Sequence, residues 1–346
     1  MGAGTMPFFL SRLGERCMKM RKTILLPASV GIAMLLACAV ALLAALASAP
    51  TASAASFEHG ASFAVRCDFS HRLSDDPIKY PYPPGSKGAA HSHDFFGNKT
   101  TQYNSTYDGT AAGSVSMLGQ PTTCSRPEDT AGYWIPTVSW KVSKRIQTTL
   151  TANRAVFYYR AGNKDYQTVQ PFAPNLRVID DARITWYCGK GDDKSGSATP
   201  PTQCSSGVLG LKIVFPDCVA QDPTTGGQQL DSADHESHMV KSKLLSNSTR
   251  ACPSTHPIPV PTLTVNINFP MPTTSGTVVL SSGDASTVHA DFWNTWNQEK
   301  PLPEDLQTVN DGGYGGLNAL VKHCINEVPP DQVRPTECRA PTATGS

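Results

Sequence analysis

Eight cysteines, Cys67, Cys124, Cys188, Cys204, Cys218, Cys252, Cys324 and Cys338, are spread along the chain behind an apolar leader, and none stands in a C-x-x-C pair. An even set of widely spaced cysteines behind a secretory leader is the pattern of a disulfide framework formed in an oxidising compartment. The absence of C-x-x-C spacing argues against a thiolate zinc site. Eight half-cystines allow about 105 pairings, so sequence spacing leaves the connectivity open.

The leader spans residues 1–55. It joins a basic stretch, RLGERCMKMRK, to the apolar run ILLPASVGIAMLLACAVALLAALA and then to small residues around Ala52-Ser53-Ala54. This is the layout of a signal peptide, and it implies a secreted, extracellular protein. The apolar run is long enough to hold the chain at a membrane if it is not cleaved. Two further cysteines, Cys17 and Cys38, fall inside it. Its five Lys/Arg and one Glu carry +4, and the whole chain is +1, which leaves −3 for the remainder. No Lys/Arg stripe interleaves with aromatic residues, so nucleic acid is not the expected partner.

Residues 56–340 suit a single secreted domain, because hydrophobic cores tend to divide only above about 250–300 residues. Residues 341–346, PTATGS, read as a loose tail. Six segments are short, rich in β-branched and aromatic residues and bounded by Gly, Pro, Asp or Ser: Gly132 to Trp140, Ala155 to Arg160, Ala182 to Cys188, Gly210 to Pro216, Leu263 to Phe269 and Gly276 to Ser282. They predict a mainly β fold, a disulfide-stapled β-sandwich or jelly-roll-like domain with a few short helices. One helix is expected to open near Asp291 in HADFWNTWNQ. A second is expected over Gly315 to Asn326, where Leu317, Leu320, Val321 and Cys324 recur at helical spacing.

Six of the nine histidines fall in four short motifs: His91 and His93 in HSHDFFGN, His235 and His238 in LDSADHESHM, His256 in CPSTHP and His289 in VHADFWNTW. Asp94, Asp231, Asp234, Glu236 and Asp291 accompany them, in a chain of only 16% charged residues. His91 and His93, two apart, face the same side if their segment is a strand. His235 and His238, three apart, converge if theirs makes a helical turn, with Asp234 or Asp231 fixing an imidazole tautomer. Each motif also has a structural reading. Asp231 or Ser232 can cap a turn, Pro257 and Cys252 can hold His256 as a rigid loop residue, and Phe292, Trp293 and Trp296 can be core.

In their order along the chain, HSHDFFGN, PFAPNLRVI, LKIVFPDC, LDSADHESHM, CPSTHPIPVPTL and VHADFWNTW closely resemble the secreted domain of unknown function numbered nineteen ninety-six. That family occurs in bacteria and in fungi, often beside WSC-type carbohydrate-binding modules. The resemblance runs from about Cys67 to about Cys324. It implies an extracellular protein in polysaccharide or cell-wall surroundings, and it brings no assigned reaction.

The candidate catalytic set is therefore His91, His93, Asp234, His235, His238, His256, His289 and Asp291. Histidine titrates near neutrality and moves protons in either direction, which suits a hydrolase or lyase acting on a polysaccharide or cell-wall glycan. A divalent metal ion held by His91, His93, His235 and His238 is the second reading, since several neutral imidazoles suit Zn, Cu or Mn. The string DHESHM lacks the spacing of a helix-borne His-Glu-x-x-His, so a zincin is excluded. A third reading is a non-catalytic glycan-binding module in which Trp134, Trp140 or Trp186 stacks on sugar rings. No Gly-x-Ser-x-Gly elbow follows the leader, which removes support for a lipase-like triad. Asn98, Asn104 and Asn247 begin N-glycosylation sequons.

Overall fold

The computed structural model describes residues 60–81, 85–189, 196–301 and 315–340; the leader, with Cys17 and Cys38, and the tail lie outside these. The β-branched and aromatic segments marked as strands by sequence assemble mainly into one antiparallel sheet. Its order is Ser62–Arg66, Arg154–Arg160, Thr262–Pro270, Val208–Val214 and Ile184–Cys188. A second five-stranded antiparallel sheet runs Arg177–Asp180, Ala290–Trp293, Gly132–Pro136, His93–Gly97 and Phe69–Leu73. The long segment from Gly132 turns at Pro136 and Thr137 and re-enters as Val138–Val142. There it joins Arg145–Thr149, Thr277–Leu280 and Gly283–Asp284 in a four-stranded sheet.

The two five-stranded sheets share one apolar core, to which the first contributes Phe63, Phe157, Leu211 and Ile267 and the second Phe96, Tyr133, Val178 and Phe292. The Tyr133 and Phe157 rings meet across it with centroids 4.0 Å apart. Pairs of this kind add about 0.5–1.5 kcal/mol beyond the area they bury. One polar chain runs through this core without leaving its members unpaired. The Tyr133 hydroxyl donates to Asp129 at 2.9 Å and lies 2.6 Å from the Tyr159 hydroxyl, which also accepts from Trp296 Nε1 at 3.1 Å.

The eight cysteines after the leader pair as Cys67–Cys124, Cys188–Cys204, Cys218–Cys252 and Cys324–Cys338. The helix expected near the C-terminus forms as an α-turn, Leu317–Leu320, continued by a π-helical stretch, Val321–Asn326. Leu317, Leu320, Val321 and Cys324 face the core, as their spacing requires. The helix expected at Asp291 is absent: Ala290–Trp293 is an inner strand of the second sheet. Burial on both faces of that sheet removes the alternation that marks a half-exposed strand, so Asp-Phe-Trp reads ambiguously in sequence. Among the described residues no helix is long and apolar enough to cross a membrane. Of the sequon asparagines, Asn98 is buried and its amide donates to the carbonyls of Met117 and Thr130 at 2.7 and 2.8 Å, whereas Asn247 is exposed.

Asp180, at the end of Arg177–Asp180, is 5% exposed and its Oδ2 has no hydrogen-bond partner. Burial pushes its carboxyl from 3.8 up to about 6, against the opposing charges of Lys241 and Arg183. The folded chain therefore holds this proton more tightly than the unfolded chain does. Stability falls as pH rises from about 4 to about 6 and is level above that window. Asp180→Asn is expected to stabilise the protein by about 3 kcal/mol at pH 7.5 and by little at pH 4. Urea denaturation at the two pH values checks it, and an equal gain at both would rule out charge burial as the cause.

Candidate functional site

The second sheet is covered on both sides, and its sequence explains how. Phe95-Phe96, Tyr133-Trp134 and Phe292-Trp293 are adjacent aromatic pairs in three neighbouring strands, and adjacent residues of a strand point to opposite faces. Phe96, Tyr133 and Phe292 fill the main core. Phe95, Trp134 and Trp293 form a second apolar cluster with Ile78, Met117 and Ile179 on the outer face. Strand register places His71, Phe95, Trp134, Asp291 and Ile179 in one row across that outer face. His93 stands two residues before Phe95, and His289 two before Asp291, so both histidines extend the outer face beside this row.

His91, His93 and His289 bring ligand-capable nitrogens to within 4.8 Å of one another. The His91 and His93 rings lie 4.3 Å apart, and those of His91 and His289 5.2 Å. His93 is fully buried, whereas His91 and His289 are half-buried. Nδ1 of His93 donates to the Asp75 carbonyl at 2.9 Å, and Nδ1 of His289 donates to the Thr287 carbonyl at 3.0 Å. Their Nε2 atoms face each other at 3.4 Å. Asp75 is itself fixed, because its carboxylate accepts from the backbone N–H of Gly88 at 2.7 Å and of Tyr103 at 3.1 Å.

Two carboxyl groups stand with these rings. Asp291 is buried, both its oxygens lack hydrogen-bond donors, and Oδ2 lies 3.8 Å from His289 Nε2. Burial, and then the nearby Asp76, push the Asp291 carboxyl well above the usual range against the pull of Lys79. Burial also raises Asp76, against a hydrogen bond from the Lys79 backbone and the nearby His289. The imidazoles shift the other way. Burial, then His289 and Lys79, drive His91 down to about 4. Burial, with His91 and His289 next, lowers His93 well below its ordinary value, and burial lowers His289 despite its bond to Thr287. Burial in the pocket thus disfavours the charged forms of both the imidazoles and the carboxyl groups.

The remaining predicted residues occupy the flank of the sheet. The segment after Leu230 lies along the edge strand, with the N–H groups of Arg177 and Ile179 donating to the carbonyls of Leu230 and His235, both at 2.9 Å. This segment is a run of turns rather than a helix, so His235 and His238 do not converge through helical spacing. His235 has a left-handed backbone, φ 62°, and its Nδ1 lies 2.8 Å from Asp231, which also pairs with Arg177 at 3.2 Å. Asp234 caps the turn instead, accepting from Ser232 Oγ and from the backbone of Glu236 and Ser237. Buried His238 is held by Ser232 Oγ at 2.9 Å. His256 donates from Nε2 to the Ser237 carbonyl at 2.9 Å, which ties the CPSTHP loop to the same turns. None of these histidines joins the cluster of three. Glu236 alone of this segment reaches the pocket electrostatically, as a like charge raising Asp291.

Asp76 and Lys79 had no place in the predicted set. Their signal was the dipeptide Asp75-Asp76 before Pro77 in SDDPIKY, two acids spent on one turn in a weakly charged chain. The tryptophans proposed as sugar platforms, Trp134, Trp140 and Trp186, are all buried in the two apolar clusters, so no ring face is open to a glycan. They satisfied the sugar-stacking criterion by composition alone, and large rings in strand centres are core first.

A family model described as a domain of unknown function (DUF1996) matches residues 76–296, which contain Asp76, Lys79, His91, His93, His289 and Asp291. Neither the curated proteins nor the solved structures hold a match to this chain.

Proposed function

The chain belongs to the DUF1996 family of domains of unknown function, and from that premise we propose that it is a secreted enzyme, a hydrolase or lyase, acting on a polysaccharide or cell-wall glycan through the His91, His93, His289 and Asp291 pocket. One observation carries the reading: an acid and a base of opposite displacement stand side by side, Asp291 raised and His289 lowered, 3.8 Å apart. Environments that push two titratable neighbours apart are how one pocket comes to offer a proton donor and a proton acceptor at the same pH. Four disulfides fit an oxidising, extracellular setting. Exposed Lys79 acts electrostatically on His91, His289 and Asp291, and Tyr80, next to it in the chain, is 41% exposed. An exposed aromatic ring next to a cation suits a sugar ring and its polar substituents. A purely binding role is less well supported, because Trp134, Trp140 and Trp186 are buried and the ionisable groups are concentrated where a neutral sugar has no need of them.

The test is a panel of neutral and uronate-containing cell-wall polysaccharides, read by new reducing ends for hydrolysis and by unsaturated uronate absorbance for elimination. Wild type is expected to cleave at least one of them, and His289→Ala to do so about 10²–10⁴-fold more slowly. A folded wild type that releases neither product from the whole panel would defeat the reading, and equal rates for the two proteins would place the chemistry elsewhere.

A further inference from the structure

Two imidazole acceptors face each other in the pocket, and this follows from hydrogen bonding alone. A backbone carbonyl can only accept, so the bonds to Asp75 and Thr287 place the ring protons of His93 and His289 on Nδ1. Both Nε2 atoms are then bare acceptors, and they face each other at 3.4 Å. His91 adds a buried Nε2 with no partner, and Asp291 adds two buried oxygens with none. Acceptors directed at one another with no donor between them are unfavourable in a dry site, unless something positive lies among them.

We propose that His91, His93 and His289, with Asp291 as the fourth donor, hold one divalent first-row transition-metal ion of the zinc type. The proposal rests on the pocket being the reactive site named above; with the ion bound, His289 and Asp291 would act as its ligands, and the proton transfer assigned to them would pass to a water held by the ion. Tetrahedral ligands at zinc–nitrogen distances stand about 3.3 Å apart, and the two Nε2 atoms are separated by 3.4 Å. Asp291 Oδ2 at 3.8 Å from His289 Nε2 needs a small closure to join the same shell. The Nδ1 bonds to backbone carbonyls are the outer contacts that metal-bound imidazoles ordinarily keep, since they fix the tautomer and aim Nε2 at the ion. His91 and His289 are half-buried, so a water or a substrate oxygen could reach the ion from their side as a fifth donor or in place of Asp291. The ligand set differs from the one drawn from sequence spacing: His289 replaces His235 and His238, which stand at the sheet's edge outside the cluster of three.

The experiment is zinc titration of the chelator-treated full-length secreted protein by calorimetry, with cobalt(II) absorption as a second probe. Wild type, His235→Ala and His238→Ala are expected to take up one equivalent of zinc, and cobalt is expected to give the intense visible bands of a tetrahedral site. His93→Gln and His289→Ala are expected to bind about 100-fold more weakly or worse. Near-UV circular dichroism establishes that each variant is folded, and the wild-type cobalt spectrum decides the matter even if a variant is not. No stoichiometric uptake by folded wild type overturns the proposal and leaves a single shared proton between His93 and His289 as the occupant. Undiminished uptake by folded His93→Gln and His289→Ala overturns it equally. Metal uptake without polysaccharide cleavage would retire only the reading of function, and cleavage that survives complete metal removal would retire only the metal.

Discussion

Asp291→Asn is expected to lower turnover on the substrate found by the polysaccharide panel by about 10²–10⁴-fold, while leaving the metal-free protein at least as stable as wild type. The two effects have one cause. Asp291 sits in the centre of the second sheet, paired in register with Trp134 on one side and Ile179 on the other, with both carboxyl oxygens lacking a donor. Burial and the neighbouring Asp76 raise its proton affinity, so its charged form costs stability at every pH above its ordinary range. Asparagine keeps the shape and removes that cost, but it supplies neither a transferable proton nor an anionic ligand. Activity at pH 7.5 without chelator, and scanning calorimetry at the same pH with chelator, check the pair of outcomes. Gain of stability with loss of activity is the signature of a residue retained for function. Loss of both would make Asp291 a structural residue instead.

Lys164→Met is expected to destabilise the fold by about 3–5 kcal/mol, a large part of the 5–15 kcal/mol typical of a whole domain. Lys164 Nζ lies 2.6 Å from Asp217 Oδ2 and donates to Thr262 Oγ1 at 3.1 Å, and both charged side chains are 2% exposed. Burial pushes the Asp217 carboxyl up, but Lys164 together with donors from Ser242 and Thr262 outweighs it and holds the group below its ordinary value. A depressed folded value means that this stabilisation is present at neutral pH and is lost as pH falls through the carboxylate range. Methionine keeps the length of the side chain and strands the charge of Asp217, which is why the loss should be large at pH 7 and smaller at pH 4. Asp217 also takes the Ser242 N–H at 2.7 Å and is followed by the half-cystine Cys218, so the pair joins the turn after Arg154–Arg160 to the Cys218–Cys252 region. Urea denaturation of Lys164→Met, Asp217→Asn and the double variant measures the coupling directly. A double variant no more stable than the sum of the singles would show that the two charges act independently.

The first sheet was largely legible from sequence. Arg154–Arg160, Ile184–Cys188, Val208–Val214 and Thr262–Pro270 are runs of β-branched and aromatic residues between turn formers, and each was predicted within a few residues. Of the second sheet, Gly132–Pro136 was marked as a strand and the others were not. His93–Gly97, Arg177–Asp180 and Ala290–Trp293 carry histidine, aspartate or arginine on a face that is nevertheless buried, so neither alternation nor a clean apolar run marks them. The strands hardest to read are those that carry the His–Asp cluster, since buried polar groups are the ones that break the pattern used to find strands.

By itself the sequence determined the family, the β-rich class, the even set of cysteines that pair as disulfides and the histidine motifs from which the cluster is drawn. Composition, spacing and local pattern are properties of neighbours along the chain, and those features need nothing more. Tertiary structure decided which cysteines pair, that the tryptophans are core, that Asp76 joins the pocket, and that His289 meets His93 across a separation of 196 residues while His235 and His238 stay at the sheet's edge. The reason is the order of strands: Ala290–Trp293, Gly132–Pro136 and His93–Gly97 become neighbours only through backbone pairing between distant segments. That pairing is set by how both faces of the sheet are buried at once, a condition no short window of residues contains.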